Sequence, residues 1–182
     1  MTKSTTGLLC HEHYFWHDTG NAAAMLPAGL HIQPDKHAEN ADTKRRMLGL
    51  LEVSGLLDDL VSLKPRSATL EELYRFHTPE YVQHVQTLSD NNGGDSGELT
   101  PVGRGSYEIA LLSAGGCRTA LEAVMNRQVS NAYALVRPPG HHAEKNRGRG
   151  FCLFGNGVLT AKHAQAVFGL KRIAIIDWDV HH

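Results

Sequence analysis

Two short stretches concentrate side chains that can do chemistry. "DWDVHH" puts Asp177, Asp179, His181 and His182 within six positions, and "VRPPGHHA" delivers His141 and His142 into a turn after an apolar run. In an extended segment alternate side chains share a side, so Asp177, Asp179 and His181 are expected to project together. Asp179 and His181 then offer one oxygen and one nitrogen donor. A catalytic zinc takes three protein ligands and leaves a position for water, so this is an incomplete set without an obvious third member. The histidine pair suits proton transfer to and from such a water. A carboxylate behind an imidazole would fix its tautomer, and Asp177 is the local candidate.

Histidine is also the outlier of the composition, with twelve in 182 residues, six of them in the close groups His11/His13, His141/His142 and His181/His182. The remainder is ordinary for a globular chain: 41% apolar, 20% charged, formal net charge -1. That balance gives no reason to expect nucleic acid or a membrane surface as partner. Apolar runs are too short to span a bilayer, and the N-terminus does not read as a secretory signal. Cys10, Cys117 and Cys152 make an odd count without CxxC spacing, which fits a reduced, cytoplasmic protein. The cysteines read as core residues, and Cys152, beside Phe151, is the one that could line a site. "HEH" at 11–13 fails the HExxH zinc pattern because Phe15 stands where the second histidine belongs. Neither a Walker A loop nor GxGxxG spacing is present.

These residues need a frame. "TTGLLC" reads as a first strand, and residues 16–40 as a long irregular loop of the functional kind. "ADTKRRMLGLLEVSGLLDDL" predicts a helix. "TLEELYRFH" carries a capping box at Thr69 and Glu72, and Pro79 suits the first turn of a helix over "TPEYVQHVQTL". "SDNNGGDSGELTPVGRG" is a loop. The longest helix follows from Ser106, with a small-residue patch at Ala114–Gly116 for close packing. "NAYALVRPPG" is a strand, "GFCLFGNGVLTAKHAQAVFG" turns from loop to helix, and "KRIAIIDWD" reads as a last strand buried on both faces. The order predicts an α/β protein with a parallel sheet and flanking helices, with candidate ligands at the carboxyl ends of strands.

Taken together, "ALVRPPGHHAEKNRGRGFCLFGN" and "RIAIIDWDVHH" closely resemble the zinc-dependent histone deacetylase superfamily, nearest its class II-like branch with bacterial deacetylases and acetylpolyamine amidohydrolases. "WHDTG", "HAENADTKRR" and "GRGSYEIALLSAGG" extend the resemblance over nearly the whole chain. It implies an arginase-deacetylase fold and hydrolysis of an acetamide, either acetyl-lysine or a small acetylated amine such as a polyamine. On matching positions it implies Asp179 and His181 as zinc ligands and His141 and His142 as the tandem histidines, with Asp177 paired to His141. Phe151 would form one wall of a narrow substrate tunnel. Asp95 or Glu98 would hold the substrate backbone. Asp177, Asp179 and His181 would contribute to a structural potassium site. Gly155 departs from the pattern, since relatives often have Asn there.

The family pattern continues "DVHHGNG" past this chain's last residue. The third zinc ligand, the oxyanion-stabilising tyrosine and the second histidine's partner are not in these 182 residues. Residues 1–182 are therefore expected to be the N-terminal part of a single deacetylase-like domain, truncated after a central strand and inactive alone. The competing expectation is a non-catalytic remnant or interaction module that a partner chain, identical or different, completes along the sheet. An arginase-like dimanganese hydrolase is a third reading, disfavoured by His182 and the "PPGHHA" tandem.

Overall fold

The computed structural model describes residues 5–181. A parallel sheet of three strands is built on Thr6–Leu9, which pairs with Leu60–Leu63 on one side and Asn131–Ala134 on the other. Thr6 stands opposite both Leu60 and Asn131, so the three strands start level. Parallel neighbours need crossover connections, and helices supply them. α1 (Asp42–Val53) lies in the first crossover; α2 (Leu70–Leu73), α3 (Pro79–Asp90) and α4 (Ser106–Met125) lie in the second. α5 (Asn156–Phe168) follows the third strand and packs along α4.

Local chemistry explains the helix starts. The Thr69 hydroxyl accepts the Glu72 N–H while the Glu72 carboxylate accepts the Thr69 N–H, the reciprocal box read from the sequence. Thr78 caps α3, with Pro79 in its first turn. On α4 the small residues allow backbone contact: a Cβ at Gly115 would fall on the Arg66 carbonyl oxygen, and one at Gly116 on the Tyr14 hydroxyl. Two apolar clusters result. One, around Leu9, Tyr14, Leu63 and Val129, joins the sheet to α4; the other, around Leu73, Val82, Val85, Leu153 and Phe154, joins α2 to α5.

Two elements differ from the sequence reading. The strand Leu60–Leu63 starts at the last residue of the stretch read as one helix and was not foreseen; Gly55, at φ 74°, ends α1 and lets the chain turn toward the sheet. Lys171–Asp179, read as a buried strand, forms no ladder in the described residues, and Ile175, Ile176 and Trp178 are exposed. A strand exists only through its neighbours, and among the described residues none is paired with this one. Residues 16–40 hold three short antiparallel strands, Asn21–Ala23, Leu26–Pro27 and Asp35–Lys36. No helix among the described residues is long and apolar enough to cross a membrane.

Candidate active site

Past Ala134 the third strand runs into Pro138-Pro139-Gly140, and neighbouring helices fix this turn. The Pro138 carbonyl accepts from the Ser113 hydroxyl of α4 at 3.0 Å and from the Asn156 side-chain amide of α5 at 3.1 Å. Gly140 is needed there, because a Cβ would stand 2.5 Å from the Asn156 backbone nitrogen. His141 and His142 leave this rigid turn with their rings 4.1 Å apart between centroids and 37° from parallel. His141 Nδ1 lies 3.0 Å from Asp177 Oδ2. Desolvation, with His141 alongside, moves the His142 pKa below the ordinary imidazole value.

The carboxylates of the last stretch are ordered by their own backbone. Asp177 Oδ1 accepts the Asp179 N–H at 3.1 Å, and Asp179 Oδ1 accepts the His181 N–H at 2.9 Å. Both are turns in which an aspartate caps the residue two positions on. Asp179 and His181 line the same open cleft as His141 and His142, about 470 Å3 in volume, while Asp177 sits behind His141. Asp179 and His181 supply a carboxylate and an imidazole, donors of the right kind for zinc, and they fill two of the three protein positions a catalytic zinc uses. Among the described residues no group of three or more such side chains is placed to hold a metal. His182, the fourth candidate of the motif, lies outside the described residues.

Phe151 forms the opposite wall. It is a non-glycine residue at φ 71°, a conformation that costs about 1 kcal/mol or more and persists where the surroundings enforce it. Its N–H donates to the Leu99 carbonyl at 3.0 Å, and the Gly150 N–H donates to the Glu98 carbonyl at 2.9 Å. These bonds extend the parallel pairing of Gly97–Glu98 with Gly148–Arg149. The Phe151 ring meets the buried His37 edge-on at 4.8 Å. Leu99, itself at φ 52°, and Met25 add apolar surface to the cleft.

The two loop acids part company. Glu98 lines the cleft and stands 3.3 Å from Arg149 Nε. Asp95 turns inward on its own loop, accepting from the Gly97 and Thr100 N–H groups at 2.9 and 3.0 Å. Cys152 is wholly buried, as the core reading of the cysteines expects; it packs behind the histidine pair without lining the cleft, and burial pushes its thiol pKa up to about 11. At Gly155 a Cβ would press on the Phe76 ring at 3.1 Å, a local reason for glycine at that position.

Sequence reasoning passed over a buried support. Arg137 is 1% exposed, and its Nε donates to both carboxylate oxygens of Glu39 at 2.9 and 2.8 Å. Its Nη1 donates to the His17 carbonyl at 2.6 Å. Lys44, which lines the cleft, stands 3.7 Å from the same Glu39. The available signal was an arginine within "YALVRPPG", where a buried cation demands a partner.

The family model described as histone deacetylase domain matches residues 37–182. The chain belongs to the histone deacetylase family. A histone deacetylase-like amidohydrolase of Pseudomonas aeruginosa is 44% identical over all of this chain and 48% of its own length. A probable deacetylase of Archaeoglobus fulgidus is 35% identical over 97% of this chain and 45% of its own. The polyamine deacetylase HDAC10 of Mus musculus is 38% identical over 82% of this chain and 23% of its own. The crystal structure of the HDA15 HD domain superposes with a TM-score of 0.78 at 31% identity, over 90% of this chain and 44% of that one. The parallel sheet with flanking helices is thus the arginase-deacetylase fold expected for this histone deacetylase family chain. It spans about half the length of the curated bacterial and archaeal relatives it matches.

Proposed function

We propose that residues 1–182 are the tandem-histidine part of a single deacetylase domain, a zinc-dependent amidohydrolase acting on acetyl-lysine or a small acetylated amine. The observation that carries this reading is the adjoining His141–His142 pair, backed by Asp177, facing the cleft that Asp179 and His181 also line. Asp179 and His181 would hold the zinc, which would supply Lewis acidity toward the acetyl carbonyl. His141, its Nδ1 engaged by Asp177, keeps Nε2 for proton exchange with the attacking water, and the tandem returns a proton to the leaving amine. Phe151 would flank the acylated side chain. Glu98, in the cleft, is better placed than Asp95 to meet the groups beside it. A structural potassium site at Asp177, Asp179 and His181, and cytoplasmic residence suggested by the odd cysteine count, belong to the same proposal.

The test is acetate release from acetyl-lysine peptides and N-acetylated polyamines by the zinc-loaded product of the complete reading frame. His141→Ala/His142→Ala is expected to abolish it; undiminished release by that variant refutes the proposal. The 182-residue chain alone is expected to release none. A second reading, a non-catalytic module completed by a partner chain, is favoured by the exposed, unladdered Ile173–Val180 segment. A folded, monodisperse 182-residue monomer would count against it.

A further inference from the structure

His77 sits in the link between α2 and α3, 2% exposed and far in sequence from the histidine pair. Its Nε2 lies 2.9 Å from the backbone nitrogen of Gly155, and its Nδ1 lies 3.2 Å from the Lys145 carbonyl oxygen. A backbone N–H can only donate, so Nε2 must be bare. A neutral imidazole with bare Nε2 carries its proton on Nδ1, which then donates to Lys145. Both polar atoms of one ring are thus committed, and they grip two points ten residues apart in the chain. Lys145 lies three residues past the His141–His142 turn. Gly155 stands immediately before α5, and Phe151 lies between the two. We propose that His77 is a positioning residue for the reaction proposed above, tying both ends of the 145–155 loop so that Phe151 and the histidine pair keep their separation across the cleft.

Two further bonds pull in the same direction. The Thr78 N–H donates to the same Lys145 carbonyl at 3.1 Å, and the Tyr81 hydroxyl donates to the Leu153 carbonyl at 2.7 Å. The ring orientation is set by packing: Phe76, Phe154 and Tyr81 lie 4.7, 5.3 and 5.4 Å away between centroids. Burial lowers the His77 pKa to about 4, which keeps the ring neutral and its acceptor available at physiological pH. The one bare acceptor is what an alanine or a protonated ring would lack.

The experiment uses the labelled 182-residue chain and needs no activity. Long-range proton–nitrogen correlation spectra at pH 7 are expected to show His77 as the Nδ1–H tautomer; the Nε2–H tautomer would overturn the proposal. His77→Ala is expected to speed amide exchange at Phe151 to Gly155 at least about tenfold, with the Leu8 and Leu9 amides unchanged. His77→Gln, whose side-chain carbonyl can accept the Gly155 N–H, is expected to recover most of that protection. A uniform rise over the whole chain, or no rise in the loop, refutes the positioning role. Should the alanine variant fail to fold, the wild-type tautomer and the glutamine variant still decide. A protein that shows the tie yet comes from an inactive parent refutes the function proposed above; an active parent without the tie refutes this inference.

Discussion

His141 Nδ1 and Asp177 Oδ2 stand 3.0 Å apart, although 36 positions separate them in the chain. The carboxylate can only accept, so the imidazole proton sits on Nδ1 and Nε2 is the free base. The carboxylate cannot swing away, because its other oxygen holds the Asp179 N–H. Both side chains are about one-third exposed, at 30% and 35%, so solvent screens the pair and its contribution to stability is small. Asp177→Asn in the complete enzyme is therefore expected to lower kcat roughly 10- to 100-fold with little change in KM. The melting temperature should move by only about 2 °C. Steady-state kinetics and a thermal melt check it; a change confined to KM would contradict the assignment.

The glycines of two helices make opposite predictions from the same substitution. At Gly115 the added methyl meets the backbone of Arg66 and Ala68, which cannot rotate aside. Gly115→Ala should destabilise by about 1–3 kcal/mol or more through overpacking. At Gly49, within α1, the methyl meets nothing within 4 Å. Gly49→Ala should instead stabilise by about 0.5–1 kcal/mol, because alanine is the better helix former. Urea denaturation of the two variants against the parent separates them by sign.

What could be read from the sequence was what local chemistry decides. The Thr69–Glu72 box, Pro79 in a first turn and the long α4 are properties of a few adjacent residues, and they stand where expected. The histidine pair and the acidic terminal motif were legible because their residue types are rare at such spacing. Strands were harder. Leu60–Leu63 follows α1 after only Gly55 and one short turn, Leu56–Asp59, and its four residues are too few to show a strand's alternation. Lys171–Asp179 has a strand's composition, yet composition cannot supply a neighbour. Residues whose role lies in a distant partner left almost no trace. Arg137 meets Glu39 across 98 positions, and His77 meets Gly155 across 78. Asp95 and Glu98 look alike in "GGDSGE"; only the fold shows one stapling its own loop and the other facing the cleft.

The Arg137–Glu39 pair is buried on both sides, at 1% and 6% side-chain exposure. Its remaining donors are taken by backbone carbonyls, including that of His17, so the cation is almost fully satisfied. Removing one partner leaves the other charge in a dry interior. Glu39→Gln and Arg137→Met should each destabilise by about 3–5 kcal/mol, far more than Lys36→Met at the exposed Lys36–Asp42 pair. A double variant replacing both charges should lose less than the two single losses summed. Equal losses at the buried and exposed pairs, measured by urea unfolding, would sink this account.

Acid should unfold the protein earlier than its surface charges suggest. Burial holds the His17 pKa near 3, helped by the Arg137 charge, and the His77 pKa near 4, against 6.5 for a free imidazole. Between about pH 6.5 and 4 the unfolded chain therefore binds protons that the folded chain refuses. Stability rises with pH wherever the unfolded state holds more protons. The contribution is complete above pH 6.5 and is lost as pH falls toward the folded pKa values. From pH 7 to pH 5 the loss is roughly 2 kcal/mol per histidine. Glu12, Asp42 and Glu144 have lowered pKa values through exposed partners, and their loss has the same sign but begins only below about pH 4.5. Urea midpoints taken every half pH unit should fall steadily from 7 to 5, and His77→Gln should flatten the slope by about half. A midpoint that stays level across that range would mean that His17 and His77 accept protons in the folded state, and would overturn the account in which burial keeps both rings neutral.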